Sequence, residues 1–499
     1  MKRTLIISAM SILVGFTACD MEKLPYDNIE TSESLQTLAD CKAFRNDLYA
    51  DFRNTFYDFL GQEIAADGFN PVIGYTNTYG GDYRWETEAS GTAGRWNDNY
   101  YIIANANLMI ERVPELMDGA TDSDRAQMEI YLGEAYLSRA MAYFDLTLRY
   151  CKDYEPSSAS SDMGVPIVLK YAPSADAGTY PGRASMEEVY KQIVSDLGEA
   201  TKRITVEGEP RSAYLTQDGV KAFKARVALQ MHDWNTAISA STDLINSNKY
   251  PLITDAKKYA DMWLNDNGDE AIWQISQSMT ERPATSSPGS YLFVEVGDED
   301  NTCKPDYVPE SGIINAFDQE NDIRFGAYFT KRTVSSGIGY VDLFICTKYP
   351  GNPELYSGKS NYHNKQKAFR ISEMYLIAAE AYAQNGNSRE ASAMLNALRT
   401  ARIANWSAEE YSGDALMSEI RTERWKELFC EGYRMMDLKR WNVEMRRTPA
   451  QNSSFIVLPG AENGENMVKE AGNYRFVWPI PQAEIDANPQ IKDQQNPGY

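Results

Sequence analysis

The chain has 499 residues, of which 43% are hydrophobic, 24% charged and 12% aromatic, a composition that excludes global disorder. Its 71 Asp and Glu against 49 Lys and Arg leave a net charge of −22, the wrong sign for gripping a polyanion, and nucleic acid is excluded as a partner. A length prior of about 150 residues per domain would divide the chain into about three, but helical arrays run on without subdividing.

Lys2 and Arg3, an apolar run from Leu5 to Phe16 and small residues before Cys19 read as a secretory signal over residues 1–18. The run is too short to span a bilayer, and no later stretch approaches the length of a membrane helix. An ordinary signal peptidase wants a small residue where Phe16 stands. Phe16-Thr17-Ala18-Cys19 instead resembles a bacterial lipobox with Phe in the usual Leu position, which makes Cys19 the expected lipid acceptor. Residues 19–37 are polar and aperiodic and suit a tether. The other cysteines, Cys41, Cys151, Cys303, Cys346 and Cys430, are odd in number, widely spaced and without a CxxC, so neither a disulfide framework nor a zinc site is written here. Cys430 falls in a helical pattern and reads as a small buried hydrophobe.

A helix is predicted over about 38–60, followed by a long glycine- and aromatic-rich loop over 61–95. Helical periodicity returns at 96–113 and 123–150, with Asp122 or Ser123 as N-cap and Pro114 near the break. A Ser-, Pro- and Gly-rich loop fills 151–184, and helices follow at 185–203, 217–231 and 234–247. From about 250 to 368 the pattern changes to short β-prone runs, such as Ala271–Ser276 and Tyr291–Val296, with no long helical period. Helices resume at 370–385, 388–403 and 413–441, and the tail from 448 is irregular. Two helix pairs carry tetratricopeptide-like spacing: Ala379, Tyr382, Gly386, Ala391 and Leu395 in one, Ala225, Ala228, His232-Asp233 and Ala237 in the other. They stand far apart in sequence, so the array reads as dispersed rather than tandem.

Several segments together resemble the SusD/RagB family of outer-surface glycan-binding lipoproteins. Trp96 to Asn107 is similar to the family's W-x-x-x-Y-x-x-I-x-x-x-N helix, and Ser138 to Leu146 with Val165-Pro166-Ile167 to its RA-x-x-YF-x-L and VP pattern. Glu423 to Arg434 running into Asp437-Leu438-Lys439-Arg440-Trp441 is the most specific match, and Pro479-Ile480-Pro481 and Asn496-Pro497-Gly498-Tyr499 complete the order. Phe16 in the lipobox and a longer insertion after Tyr150 depart from the pattern. Asp20 and Glu22 after Cys19 look like a surface-export signal. The resemblance implies a mainly α fold: a tetratricopeptide-like helical scaffold, about 38–250 and 370–447, with a loop-rich, partly irregular second part, all one domain over 38–499. It further implies a lid over a SusC-like TonB-dependent outer-membrane transporter, a glycan or peptide ligand, membrane attachment by the lipid alone, no cofactor and no chemistry.

For the residues themselves, the 61–95 loop offers Tyr75, Tyr79, Tyr83, Trp85 and Trp96 interspersed with Asp67, Asp82, Arg84 and Asn99. Sugar recognition needs flat apolar faces for C–H surfaces and planar polar groups for hydroxyls, and exposed loops display both. Trp85 and Tyr83, flanked by charges, are expected at the surface, so that Trp85→Ala weakens binding with little loss of stability; Trp96 opens a helix, where packing competes with that role. Tyr291, Phe293 and Tyr307 form a candidate second wall that a buried strand would explain equally well. Glu423, Glu427 and Glu431, four apart on one helix face, would suit the acid and base of a glycoside hydrolase, but neighbouring arginines make an ion-pair network the better reading. HExxH, GxSxG, GxxxxGK[ST] and GxGxxG are missing, and the only two histidines, His232 and His363, lack a Cys or Ser motif. The acidic clusters 298–300 and 265–270 lack EF-hand spacing, so no metal site is assigned.

Overall fold

The computed structural model describes residues 35–283, 286–293, 295, 302–355, 362–448, 450–457 and 467–499. The signal, Cys19, most of the tether, Val294, Val296 and Asp298 to Asp300 lie outside them. No helix among the described residues is long and apolar enough to cross a membrane.

The fold is mainly α. Leu38–Tyr57 starts on a capping box in which Thr37 and Asp40 satisfy each other's backbone N–H groups. It packs on Ala93–Met117 and Asp122–Tyr150, which pair with each other. Thr121 caps the latter, accepting from Asp124 N, one residue before the expected cap. Pro114 sits inside Ala93–Met117 rather than at its end, where buried Val113 and Met117 hold the last turn. Asp122–Tyr150 then packs on Met186–Arg203, stitched by Arg139 to Asp196 at 2.7 and 2.9 Å and by Arg139 to Asn107 at 2.7 Å.

The two tetratricopeptide-like pairs are Gln217–Gln230 with Trp234–Asn246, and Ile371–Gln384 with Ser388–Arg402. Their small positions are buried: Ala225, Ala228 and Ala237 in one, Ala379, Ala391 and Leu395 in the other. The chain brings the pairs together, Ile371–Gln384 packing directly against Trp234–Asn246. An array dispersed in sequence is therefore contiguous in space.

The second part is built from small sheets. Phe69–Pro71 pairs antiparallel with Tyr307–Pro309, and Ala271–Gln274 with Lys367–Arg370. A hairpin, Phe329–Ser336 with Gly339–Cys346, is joined by parallel Thr302–Cys303. The β-run expected at Tyr291–Val296 is corrected: Tyr291 lies in a short helix, Gly289–Leu292, and Phe293 caps it. The single helix expected over 413–441 is broken into Gly413–Glu427 and Arg434–Arg440. Cys430 (φ +58°) and Gly432 (φ +87°) turn the chain there, and a Cβ on Gly432 would stand 2.8 Å from that of Phe59. Cys430 is buried as expected, though at the break rather than in a helix.

That break aims three glutamates at the junction of the two parts. Glu427 takes Arg324 at 3.0 Å, Arg370 at 2.9 Å and Arg402 at 2.9 Å. Glu423 takes Arg324 and Arg399, each at 2.7 Å, and Glu431 takes Arg370 at 2.6 Å and Lys348 at 2.7 Å. All are buried. Burial pushes Glu427 up, but Arg402 and Arg370 outweigh it and hold the carboxyl well below its ordinary range; burial likewise opposes Arg324, Lys426 and Arg399 at Glu423, which ends at about 2. Carboxylates clamped in this way form a structural clasp with no free lone pair facing solvent.

Candidate functional site

The strand pair Phe69–Pro71 and Tyr307–Pro309 anchors the start of the aromatic loop, and Asp306 fixes its next turn by accepting from Thr76 N at 3.0 Å and from the Thr76 hydroxyl. Two left-handed residues, Asn77 (φ +64°) and Tyr79 (φ +59°), fold the loop back on itself. Gly80 is required for the closeness of that fold, since a Cβ there would lie 2.0 Å from Asn77 Oδ1 and 2.9 Å from Arg84 Nη1. Arg84 Nη1 donates to the Tyr75 hydroxyl and to Asn77 Oδ1, both at 3.0 Å, and Tyr75 donates to Asn77 at 2.8 Å.

Two edge-on aromatic pairs support the loop, Tyr75 with Tyr307 at 5.7 Å and Tyr79 with Tyr291 at 5.3 Å. Tyr307 is buried and donates to Thr78 O, whereas Tyr75, Tyr79 and Tyr291 are half-buried and Asn77 is exposed. Burial, with Asp58 and Tyr291 nearby, pushes the Tyr79 hydroxyl up, so it stays a donor at neutral pH. Burial also raises Asp82 to about 6, against a hydrogen bond from Thr87. The patch therefore offers apolar ring faces, a guanidinium, an amide and a carboxyl within one short loop and its neighbour, which is the donor and acceptor set that polyhydroxylated ligands use.

Of the residues expected at a site from sequence, Tyr79, Asp82, Arg84 and Tyr291 come together here. The others are corrected to packing roles. Tyr83 is 1% exposed, with its hydroxyl accepting from Asn70 at 3.1 Å and Arg447 over its ring at 3.9 Å. Trp85, 4% exposed, donates to Ala65 O at 2.6 Å and meets Phe476 edge-on; the charges flanking it turn outward and the indole inward. Trp96, 2% exposed, packs between Tyr100 and Tyr150. Asn99 is buried, donating to Arg95 O at 2.9 Å and Asp145 at 2.8 Å, and Phe293 is buried against Tyr362. Asp67 is held by Arg434 through two bonds of 2.7 Å. Sequence reasoning missed Asn77 and Asp306. The Thr-Asn-Thr-Tyr-Gly-Gly run carried the signal, since Asn before Gly-Gly marks a left-handed turn.

Among the described residues no cluster of His, Cys, Asp or Glu could hold a metal. In the 265–270 cluster, Asp266 is paired with Lys367 at 2.8 Å and Glu270 with Arg402 at 2.8 Å, so both carboxylates belong to the core.

Paired helices carrying small sheets and a loop-borne aromatic patch define a class: tetratricopeptide-like helical proteins of the SusD superfamily architecture. Two models of the SusD family each match part of the chain. Residues 335–499 match the SusD family model, and residues 28–229 match a second model described as starch-binding, associating with outer membrane. The chain is 26% identical over 451 residues to SusD-like protein P38 of Formosa agariphila, covering 81% of this chain and 79% of that one. A SusD superfamily protein of Bacteroides thetaiotaomicron superposes with a TM-score of 0.78 at 24% identity, over 92% of this chain and 100% of that one. A laminarin-binding SusD-like protein does so with a TM-score of 0.68 at 19% identity, over 93% and 100%.

Proposed function

We propose that the protein captures oligosaccharides or polysaccharide at the cell surface and hands them to a SusC-like TonB-dependent transporter. In this reading the mature chain begins at lipidated Cys19, residues 19–37 tether it to the outer membrane, and 38–499 form one domain. The observation that carries the reading is the Tyr79–Tyr291 pair, 5.3 Å apart and half-buried beside Asp82, Arg84 and Asn77, in a chain whose family includes starch- and laminarin-binding proteins by description. Tyr75, Tyr79 and Tyr291 supply the faces on which sugar rings lie; Arg84, Asn77 and Asp82 reach the hydroxyls. No bond is made or broken by this protein.

The test is affinity-gel electrophoresis of the chain against a polysaccharide panel that includes laminarin and starch, with product analysis of the same incubations. Retardation by a glycan without new reducing ends is expected. New reducing ends that disappear on changing one carboxylate would establish a glycoside hydrolase instead. Retention of peptides without any glycan retardation would make the protein a peptide-binding member of the family.

A further inference from the structure

Away from the aromatic loop, a cavity of 160 Å³ lies where Leu38–Tyr57, Ala93–Met117, Asp122–Tyr150 and Gln217–Gln230 meet the helix break after Glu427. That is room for about five waters, or for one inorganic anion with a few waters around it. Its wall is unusually cationic: Arg95, Arg149, Arg226, Lys367, Arg424 and Arg440 line it against only Asp145, Glu431 and Asp437. Those carboxylates are already divided. Asp145 is shared by Arg95 at 2.7 Å and Arg149 at 3.2 Å, Asp437 by Arg424 at 2.7 Å and Arg440 at 3.0 Å, and Glu431 is held from behind by Lys348 and Arg370. Glu373, Glu380 and Asp266, which answer the remaining cations, are outside the lining.

Two polar atoms of this wall have no hydrogen-bond partner among the described residues, Arg424 Nη1 and Gln366 Nε2. Their residues are 3% and 7% exposed. Both are donors, and no acceptor of the wall is orphaned. Buried donors without a partner are costly, so native proteins supply one. Burial pushes the Arg149 guanidinium down despite Asp145 beside it, with a smaller contribution from Arg95.

We propose that this cavity is a binding site for one small inorganic anion, a halide or an oxyanion, held by Arg424 Nη1 and Gln366 Nε2 within the arginine cage. Water would satisfy the two donors but bring protons of its own, whereas an anion only accepts, and the planar, weakly hydrated guanidinium suits it. Bound there, it joins the helix Gly413–Glu427, ahead of the break, to the start of the strand Lys367–Arg370.

Bromide is the probe. Crystals of the full chain soaked in sodium bromide should give an anomalous peak within hydrogen-bonding distance of Arg424 Nη1, and Gln366→Leu, which removes one donor and no ion pair, should weaken or abolish it. In solution, replacing gluconate by chloride at constant ionic strength should raise Tm by about 1–2 °C for each tenfold in chloride beyond its Kd, with the rise reduced in Gln366→Leu. Cavity density without anomalous signal, or anomalous peaks at surface arginines alone, would overturn the proposal, as would a chloride response equal in parent and variant. Should Gln366→Leu fail to fold, the bromide map of the parent decides by itself.

Discussion

The clasp around Glu427 and the loop from Tyr75 to Arg84 are made from the same side chains, arginine, carboxylate and tyrosine, and differ in saturation. In the clasp Glu427 answers three arginines, and all four groups are buried. In the loop Arg84 is bonded to Tyr75, Asn77 and Glu86, local partners that keep its head at the surface, while Tyr79 and Tyr291 touch edge to edge and leave ring area uncovered. Residue type does not separate structure from binding here. What separates them is whether the protein itself has used every lone pair, proton and ring face.

The largest effect that tests this difference is Glu427→Ala. It leaves three buried arginines sharing the remaining carboxylates, and stability is expected to fall by about 3–5 kcal/mol, the range for breaking a buried ion pair from one side. Thermal melting reads it, and glycan retardation by the fraction that remains folded should be unchanged. A Tm equal to the parent would put Glu427 outside the scaffold's load path and reopen the catalytic reading. Next comes Trp85→Ala, expected to cost about 3 kcal/mol through the cavity it opens against Phe476 and the hydrogen bond it loses to Ala65 O. This reverses the expectation that the sequence suggests for an exposed stacking residue, and a melting curve superimposable on the parent's would restore Trp85 to the surface.

That reversal marks where the sequence stops being legible. Helices with amphipathic periodicity, such as Asp122–Tyr150 and Met186–Arg203, are readable because burial on one face must repeat with the helix turn. The glutamates of 423–431 are readable as ion pairs because like charges stacked on one face need partners. The break at Cys430 is not, because its cause, Glu63 accepting from Gly432 N at 2.7 Å, comes from hundreds of residues away. The same holds for the hairpin Phe329–Cys346, whose long register lies in a stretch with weak alternation. Within the candidate site, which aromatics would be covered depends on Phe476 and Arg447, hundreds of residues from the loop, which close over it together with Ala65 at its start. Tyr79 and Tyr291 meet only because the Phe69–Pro71 and Tyr307–Pro309 strands pair.

Proton linkage sharpens the contrast with a smaller effect. Beneath the loop, Glu310 is buried between Asn70 at 3.0 Å and Thr448 at 2.8 Å, and burial raises it to about 8; burial raises Glu63 to about 7. A carboxyl whose folded pKa lies above its unfolded value near 4.5 keeps its proton in the folded state while the unfolded chain releases it. Its stabilising contribution is therefore complete below about pH 4.5 and is lost as pH rises through the folded value. The clasp runs the other way: the contribution of Glu423, held at about 2, is present above pH 4.5 and lost on acidification. Stability should peak on the acidic side of neutrality, at about pH 4.5, where the two limbs meet, and denaturant titrations at several pH values read the curve. Glu310→Gln, which keeps the shape and stays neutral at every pH at the cost of one acceptor oxygen, should flatten the decline between about pH 5 and 8 while leaving the acid limb alone; an unchanged alkaline limb would remove Glu310 as its source.

The smallest expected change in stability accompanies the change that matters most to function. Tyr79→Ala removes a half-buried ring, and retardation by the best glycan should weaken about tenfold, near 1.4 kcal/mol, while Tm moves little. Tyr291→Ala should do the same, and because the two rings share one contact, the double variant should fall short of the sum of the singles by about 0.5–1.5 kcal/mol. Strict additivity would mean that the rings act as separate subsites. A Tm loss as large as that of Trp85→Ala, with binding intact, would move Tyr79 into the class of saturated side chains, and the loop would then be scaffold on both of its faces, leaving glycan capture to be sought on the exposed tip of the neighbouring hairpin, where Ile338 and Tyr340 stand 60% and 70% exposed.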